Sequence, residues 1–83
     1  MTNTEAVRFL LTIYPEYKGM LLFNTKDLAR VYMRGNERKM REFLIKNSVP
    51  FYLADTGSKR YNIYEVQEEV TRTRWAQKGV SDD

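Results

Sequence analysis

The sequence predicts a mainly α-helical domain carrying one small β-hairpin. Apolar residues recur at helical spacing in successive stretches of the chain, the pattern of amphipathic helices. Two of those stretches are separated only by Gly35-Asn36, and the strand-forming runs Phe51 to Leu53 and Lys59 to Ile63 flank Ala54-Asp55-Thr56-Gly57-Ser58, a turn sequence. At 83 residues the chain fits a single domain, expected over 1–79, with 80–83 a loose tail.

Thr4 is a suitable N-cap for a helix beginning at Glu5, in which Val7, Leu10, Leu11 and Tyr14 fall on one face and Pro15 forbids much continuation. Phe9 and Ile13 add a second apolar face, so this helix is expected to be buried on both sides, or else shared with a partner chain. Pro15 to Gly19 reads as a turn, and Met20 to Phe23 as a short extended run or a lead-in to the next element. Asn24, with Asp27 three residues later, resembles a capping box, and it opens a short helix containing Leu28, Val31 and Tyr32 that stops near Met33.

Gly35 suits an open or left-handed turn, and Asn36 is a good N-cap for a third helix. In that helix Met40, Phe43 and Leu44 mark the apolar face, while Arg38, Arg41, Glu42 and Ile45 point away from it. Asn47-Ser48 ends this helix, and Pro50 turns the chain toward the hairpin, where Gly57 is free to adopt positive φ. A last helix starts after Asn62 or Tyr64, carries Val66 and Val70 on one face with acids in its first turn, and is expected to fade between Trp75 and Gly79. Tyr52 and Tyr61, on opposing strands, are expected to pack against the helices rather than to serve as stacking platforms for single-stranded nucleic acid.

Composition excludes several kinds of chemistry. Cysteine and histidine are both absent, which removes disulfides, thiolate catalysis and nearly every zinc site. No Gly-rich phosphate loop or convergent acid pair stands out, and Glu68-Glu69 point different ways on a helix, so neither an enzyme nor a cofactor is expected. No apolar run reaches the roughly 18 residues of a membrane span, and the N-terminus lacks the cationic start of a secretory signal. The expected setting is therefore the cytoplasm, with no membrane partner.

The net charge of +3 says less than its distribution. Arg30, Arg34, Arg38, Lys39, Arg41 and Lys46 cluster against only Glu37 and Glu42, whereas Glu65, Glu68, Glu69, Asp82 and Asp83 lie later. One positive face results, suited to phosphate. Helices joined by a brief turn, the second basic outside, form the arrangement in which a recognition helix enters the major groove. With the hairpin as a wing, the fold expected is a winged helix-turn-helix with an additional N-terminal helix.

Arg38 and Arg41 are the candidate base readers, because a guanidinium fork matches guanine O6 and N7 and each good contact discriminates by about 1–3 kcal/mol. Glu42 is suited to accept from cytosine. Arg34, Asn36 and Lys39 are candidate phosphate contacts, Asn36 being equally explained as a helix cap. Ser58, Lys59 and Arg60, at the hairpin turn, are candidates for the adjacent groove or backbone.

In these parts the chain resembles the excisionase and MerR-like winged helix-turn-helix family. A Thr-x-x-Glu-like cap, a Gly-x-Ser turn and a Gly-Arg-Arg-Tyr-Arg-Ile-like strand in that family are matched here by Asn24 to Asp27, Gly35-Asn36, and Gly57-Ser58-Lys59-Arg60-Tyr61-Asn62-Ile63. The match covers about half of the chain. It departs in a turn about one residue longer, in Asn62 where a basic residue is usual, and in the extra first helix. The resemblance implies a DNA-binding protein of phage or mobile-element type in a bacterial cell, associated with the nucleoid. Such a protein is a recombination directionality factor, a small transcriptional regulator or a DNA-recognition subunit.

Because one small domain reads few base pairs, its partners are expected to include, besides double-stranded DNA, a second copy in a homodimer or cooperative array, or a recombinase or polymerase. The rival reading is a protein-interaction module using the first helix and Trp75. Trp75 lies among Arg72, Arg74 and Lys78, a setting equally compatible with DNA backbone, a second protomer or another protein.

Overall fold

Four helices and a three-stranded antiparallel sheet make up residues 2–73, the part of the chain that the computed structural model describes. The elements run α1 (Asn3–Ile13), a 3-10 turn (Pro15–Tyr17), β1 (Leu22–Phe23), α2 (Thr25–Tyr32), α3 (Glu37–Lys46), β2 (Tyr52–Leu53), β3 (Lys59–Asn62) and α4 (Ile63–Thr73). Trp75, Arg74, Lys78 and the expected 80–83 tail lie outside the described residues.

Thr2, not Thr4, caps α1. Its hydroxyl accepts from the Glu5 amide at 3.1 Å, and its own amide donates to the Glu5 carboxylate at 2.9 Å, a complete capping box. Thr2 has an acid three positions on, whereas Thr4 has Val7 there, so only Thr2 closes the box and Thr4 falls inside the first turn. The two hydrogen bonds from Thr2, backbone then side chain, hold the Glu5 carboxyl below its ordinary range.

Burial of α1 is one-sided, so the first of the two alternatives for Phe9 and Ile13, burial within the chain, is not met. Val7 is fully buried and Leu11 and Tyr14 pack at the core's edge, but Phe9 and Ile13 remain 57% and 52% exposed. The helix packs on α4 and on the 3-10 turn, and no third element of the described chain covers its outer face.

Of the two readings of Met20 to Phe23 the extended run holds, with a strand at Leu22–Phe23. Leu22 pairs with Asn62 and Phe23 with Tyr61, so the hairpin of β2 and β3 gains β1 on its other edge, in the order β1-β3-β2. The hairpin itself is shorter than its sequence suggests: Phe51 precedes β2, and Ile63 leaves the sheet as the first residue of α4. Asn62 makes that change of direction, its side-chain oxygen accepting from the Tyr64 amide at 2.8 Å.

Phe23, Leu28, Met40, Leu44, Ile63, Val7 and Val66 are the largest fully buried side chains. They join α1, α2, α3, α4 and the sheet in one core, each such residue contributing about 1.5–3 kcal/mol through burial. A chain of polar contacts runs from the edge of this core to the surface. The Tyr32 hydroxyl donates to Gln67 Oε1 at 2.8 Å, Gln67 Nε2 donates to the Thr71 hydroxyl at 3.2 Å, and that hydroxyl donates to Asn3 Oδ1 at 2.8 Å. Among the described residues no buried side-chain polar atom lacks a partner, which explains how Gln67 is tolerated inside.

Candidate nucleic-acid interface

Two caps and two left-handed residues fix α3 in place. Asn24 begins α2 by accepting from the Asp27 amide at 2.8 Å, but the reciprocal half of the expected box does not form. The Asp27 carboxylate, one carbon shorter than glutamate, instead accepts from the Tyr17 hydroxyl at 3.2 Å. After α2, Arg34 and Gly35 both take positive φ, 54° and 88°, and the Met33 and Gly35 amides both donate to the Ala29 carbonyl. Asn36 then accepts from the Lys39 amide at 3.0 Å, opening α3.

The far end of α3 is a Schellman motif, the Val49 amide donating to the Leu44 carbonyl at 3.0 Å and the Ser48 amide to that of Ile45 at 3.1 Å. Ser48 holds the left-handed position at φ 53°, where glycine is usual, and Val49 and Leu44 are both buried beneath the bend.

Met40, Phe43 and Leu44 are buried as expected, and Arg38, Lys39, Arg41, Glu42, Ile45 and Lys46 are exposed. Helical spacing sets Arg38, Glu42 and Ile45 along the middle of the outer face, with Arg41 on the flank nearer Leu44 and Lys39 and Lys46 on the flank nearer Phe43. Burial pushes the Tyr61 phenol up, and the Arg41 charge opposes that shift. Among the described residues, Arg34, Arg38, Lys39, Arg41 and Lys46 form no ion pair.

Arg30 does not belong with them. Its guanidinium pairs with Glu16 at 2.6 Å, donates to the Tyr17 hydroxyl at 3.2 Å and lies over the rings of Tyr14 and Tyr17. The Tyr17 hydrogen bond, and then the Glu16 charge, raise its already high pKa. It clamps the 3-10 turn to α2 and leaves the cationic face to α3 and the turn before it.

The hairpin separates its two cations. β2 and β3 pair Tyr52 with Arg60 and Leu53 with Lys59, and alternate strand residues take opposite faces. Lys59 shares its face with Tyr61, Leu53 and Phe51: its ammonium lies 4.6 Å from the Phe51 ring centre, and the Phe51 and Tyr61 rings are 6.5 Å apart. That face looks toward α3, since Leu44, Ile45, Val49, Phe51, Lys59 and Tyr61 line one open groove. Arg60 is half-buried on the other face with Tyr52, whose hydroxyl donates to Glu65 at 3.0 Å. Tyr61 thus packs inward as expected, whereas Tyr52 does not and is 45% exposed.

Ser58 is exposed, its hydroxyl 3.0 Å from that of Thr56. The turn is closed by the Gly57 amide to the Ala54 carbonyl at 2.8 Å and the Ala54 amide to the Ser58 carbonyl at 2.9 Å, with Gly57 at φ 84°.

The surface brought together is therefore the outer side of α3, the Arg34 turn and one face of the hairpin. Arg34, Asn36, Arg38, Lys39, Arg41, Glu42 and Lys59 lie on or beside it, Ser58 lies at its tip, and Arg60 faces away. Ile45 and Phe51, which line the groove between α3 and the hairpin, and Leu53, exposed beyond Phe51 on the same hairpin face, are not among the contacts expected from the sequence. Strand alternation, applied to Phe51, Leu53, Lys59 and Tyr61, is the sequence signal that groups them. No family model, curated protein or solved structure matches this chain.

Proposed function

We propose that the chain is a winged helix-turn-helix protein of the excisionase or MerR-like kind that binds duplex DNA, with α3 in the major groove and the hairpin on the adjacent backbone. The observation that carries this reading is the row of exposed cations on α3 and its preceding turn, free of ion pairs among the described residues, beside a hairpin whose facing side offers Lys59. Asn36 at the start of α3 adds a helix N-terminus, where backbone amides favour a phosphate. Arg38 and Arg41 are the base readers, with Glu42 beside them; Arg34, Lys39 and Lys59 hold phosphates.

The biological role we infer is control of recombination or transcription in a mobile element, alongside a recombinase, a polymerase or further copies of the chain. A salt titration tests the binding. If about five phosphates are neutralised, log affinity should fall with log salt at a slope near −4 to −5; a slope near zero would refute contact through these cations.

A second reading has its own observation. Phe9 and Ile13, one helical turn apart on α1, stand 57% and 52% exposed, an apolar face suited to a protein partner. Binding to such a partner would be insensitive to salt and abolished by Phe9→Ser with Ile13→Ser, changes remote from α3.

A further inference from the structure

We propose that the apolar strip between α3 and the hairpin reads the C5-methyl group of a pyrimidine, thymine above all, so that Ile45 is a specificity-determining residue. This rests on the DNA-binding reading above. Ile45 is 67% exposed on the middle of the α3 outer face, in line with Arg38 and Glu42, and it does nothing for the core. Across the groove stands Phe51, 49% exposed, and Leu53, 67% exposed, follows it on the same hairpin face beyond the groove.

The strip has a cationic border on both sides. Arg41 is exposed on the α3 flank nearer Leu44, on the helix side, and the Lys59 ammonium lies over the Phe51 ring on the hairpin side. The occupant that complements this surface is anionic at its edges and apolar between them. Duplex DNA has that chemistry in its major groove, where the thymine methyl is the one apolar group presented among base donors and acceptors, flanked by phosphates. An isoleucine placed against that methyl excludes water from it, whereas uracil or unmodified cytosine leaves the apolar strip facing nothing.

Position sharpens the inference. Arg38 and Ile45 are seven residues apart, about 10 Å along the helix at a rise of about 1.5 Å per residue, so the methyl read by Ile45 and the guanine read by Arg38 are expected at different base pairs. Burying one methyl is worth about fourfold in affinity.

The test uses the full chain and a duplex enriched by it from a random pool. Each thymine is replaced singly by uracil, and each cytosine by 5-methylcytosine, and affinities are compared for the wild type, Ile45→Ala and Arg38→Ala. Expected for the wild type is a loss of about fourfold at one or two thymines only. Ile45→Ala should remove that uracil penalty, and Arg38→Ala should retain it. Uniform tolerance of uracil, or a penalty undiminished in Ile45→Ala, overturns the inference while leaving DNA binding intact. Failure to enrich any duplex overturns the DNA-binding reading itself, and the inference with it. Because Ile45 is exposed, the variant should keep the wild-type circular dichroism spectrum and melting behaviour.

Discussion

The hydroxyl of Tyr32 on α2 donates to the side-chain oxygen of Gln67 on α4 at 2.8 Å, and through Thr71 the link continues to Asn3 on α1. Three helices are thus tied by side-chain hydrogen bonds that run from the buried Gln67 out to the exposed Thr71. Burial raises the Tyr32 phenol well above its ordinary value, so its proton is held more tightly folded than unfolded. That contribution is present below the unfolded value of about 10 and is lost as pH rises above it. Tyr32→Phe should lower stability by about 1–2 kcal/mol at neutral pH, by leaving Gln67 without its donor, and should flatten the alkaline loss of stability. Urea unfolding between pH 7 and 11 measures both.

Ser48 sits at the left-handed position of the α3 Schellman motif, where a Cβ is unfavourable. Ser48→Gly removes that strain but loosens the unfolded chain, so the net expectation is stabilisation by about 0.5–1 kcal/mol. Ser48→Val, with a branched side chain in the same conformation, should destabilise. Paired thermal melts of the two variants give the comparison.

Asn36 serves two purposes that substitution separates. Asn36→Ala removes the acceptor for the Lys39 amide and should cost about 1 kcal/mol. Asn36→Asp keeps the cap, so stability should stay within about 0.5 kcal/mol of wild type, while the new negative charge at the start of α3 should weaken duplex binding. Unaltered binding by Asn36→Asp would remove the phosphate contact from Asn36.

The hairpin cations should differ although they are adjacent in sequence. Lys59 shares the face that looks toward α3, and Arg60 the face that carries Tyr52. Lys59→Ala should reduce the salt slope by about 0.9, the loss of one phosphate contact. Arg60→Ala should leave the slope nearly unchanged. Salt titrations on a single duplex distinguish them, and equal effects would contradict the assignment of faces.

Local chemistry makes much of this arrangement legible in the sequence. Asn24 and Asn36 cap the helices that their positions predict, Gly57 takes the positive φ of its turn, and Met40, Phe43 and Leu44 are buried beneath α3. The features that escape depend on partners distant in the chain. Leu22 and Phe23 read as part of a short extended run, but their pairing with Asn62 and Tyr61, which makes them the third strand of the sheet, lies far along the chain. Arg30 looks like any cation of its cluster until the 3-10 turn brings Glu16 and Tyr17 against it. Phe9 and Ile13 carry the periodicity of a buried face, yet burial also needs a neighbouring layer, and the described chain has none there. Thr2 and Arg60 are different, because the capping-box spacing and strand alternation that place them are present in the sequence.

Sequence preference of the Arg38→Ala, Arg41→Ala double variant, measured against wild type by mobility shift over a panel of duplexes, tests base reading through α3 most directly. Both side chains are exposed, so the variant should fold, bind every duplex weakly and discriminate among them little, with each lost bidentate contact worth about 1–3 kcal/mol of discrimination. Preference for the same sequences at undiminished affinity would contradict the assignment of α3 as the reading helix.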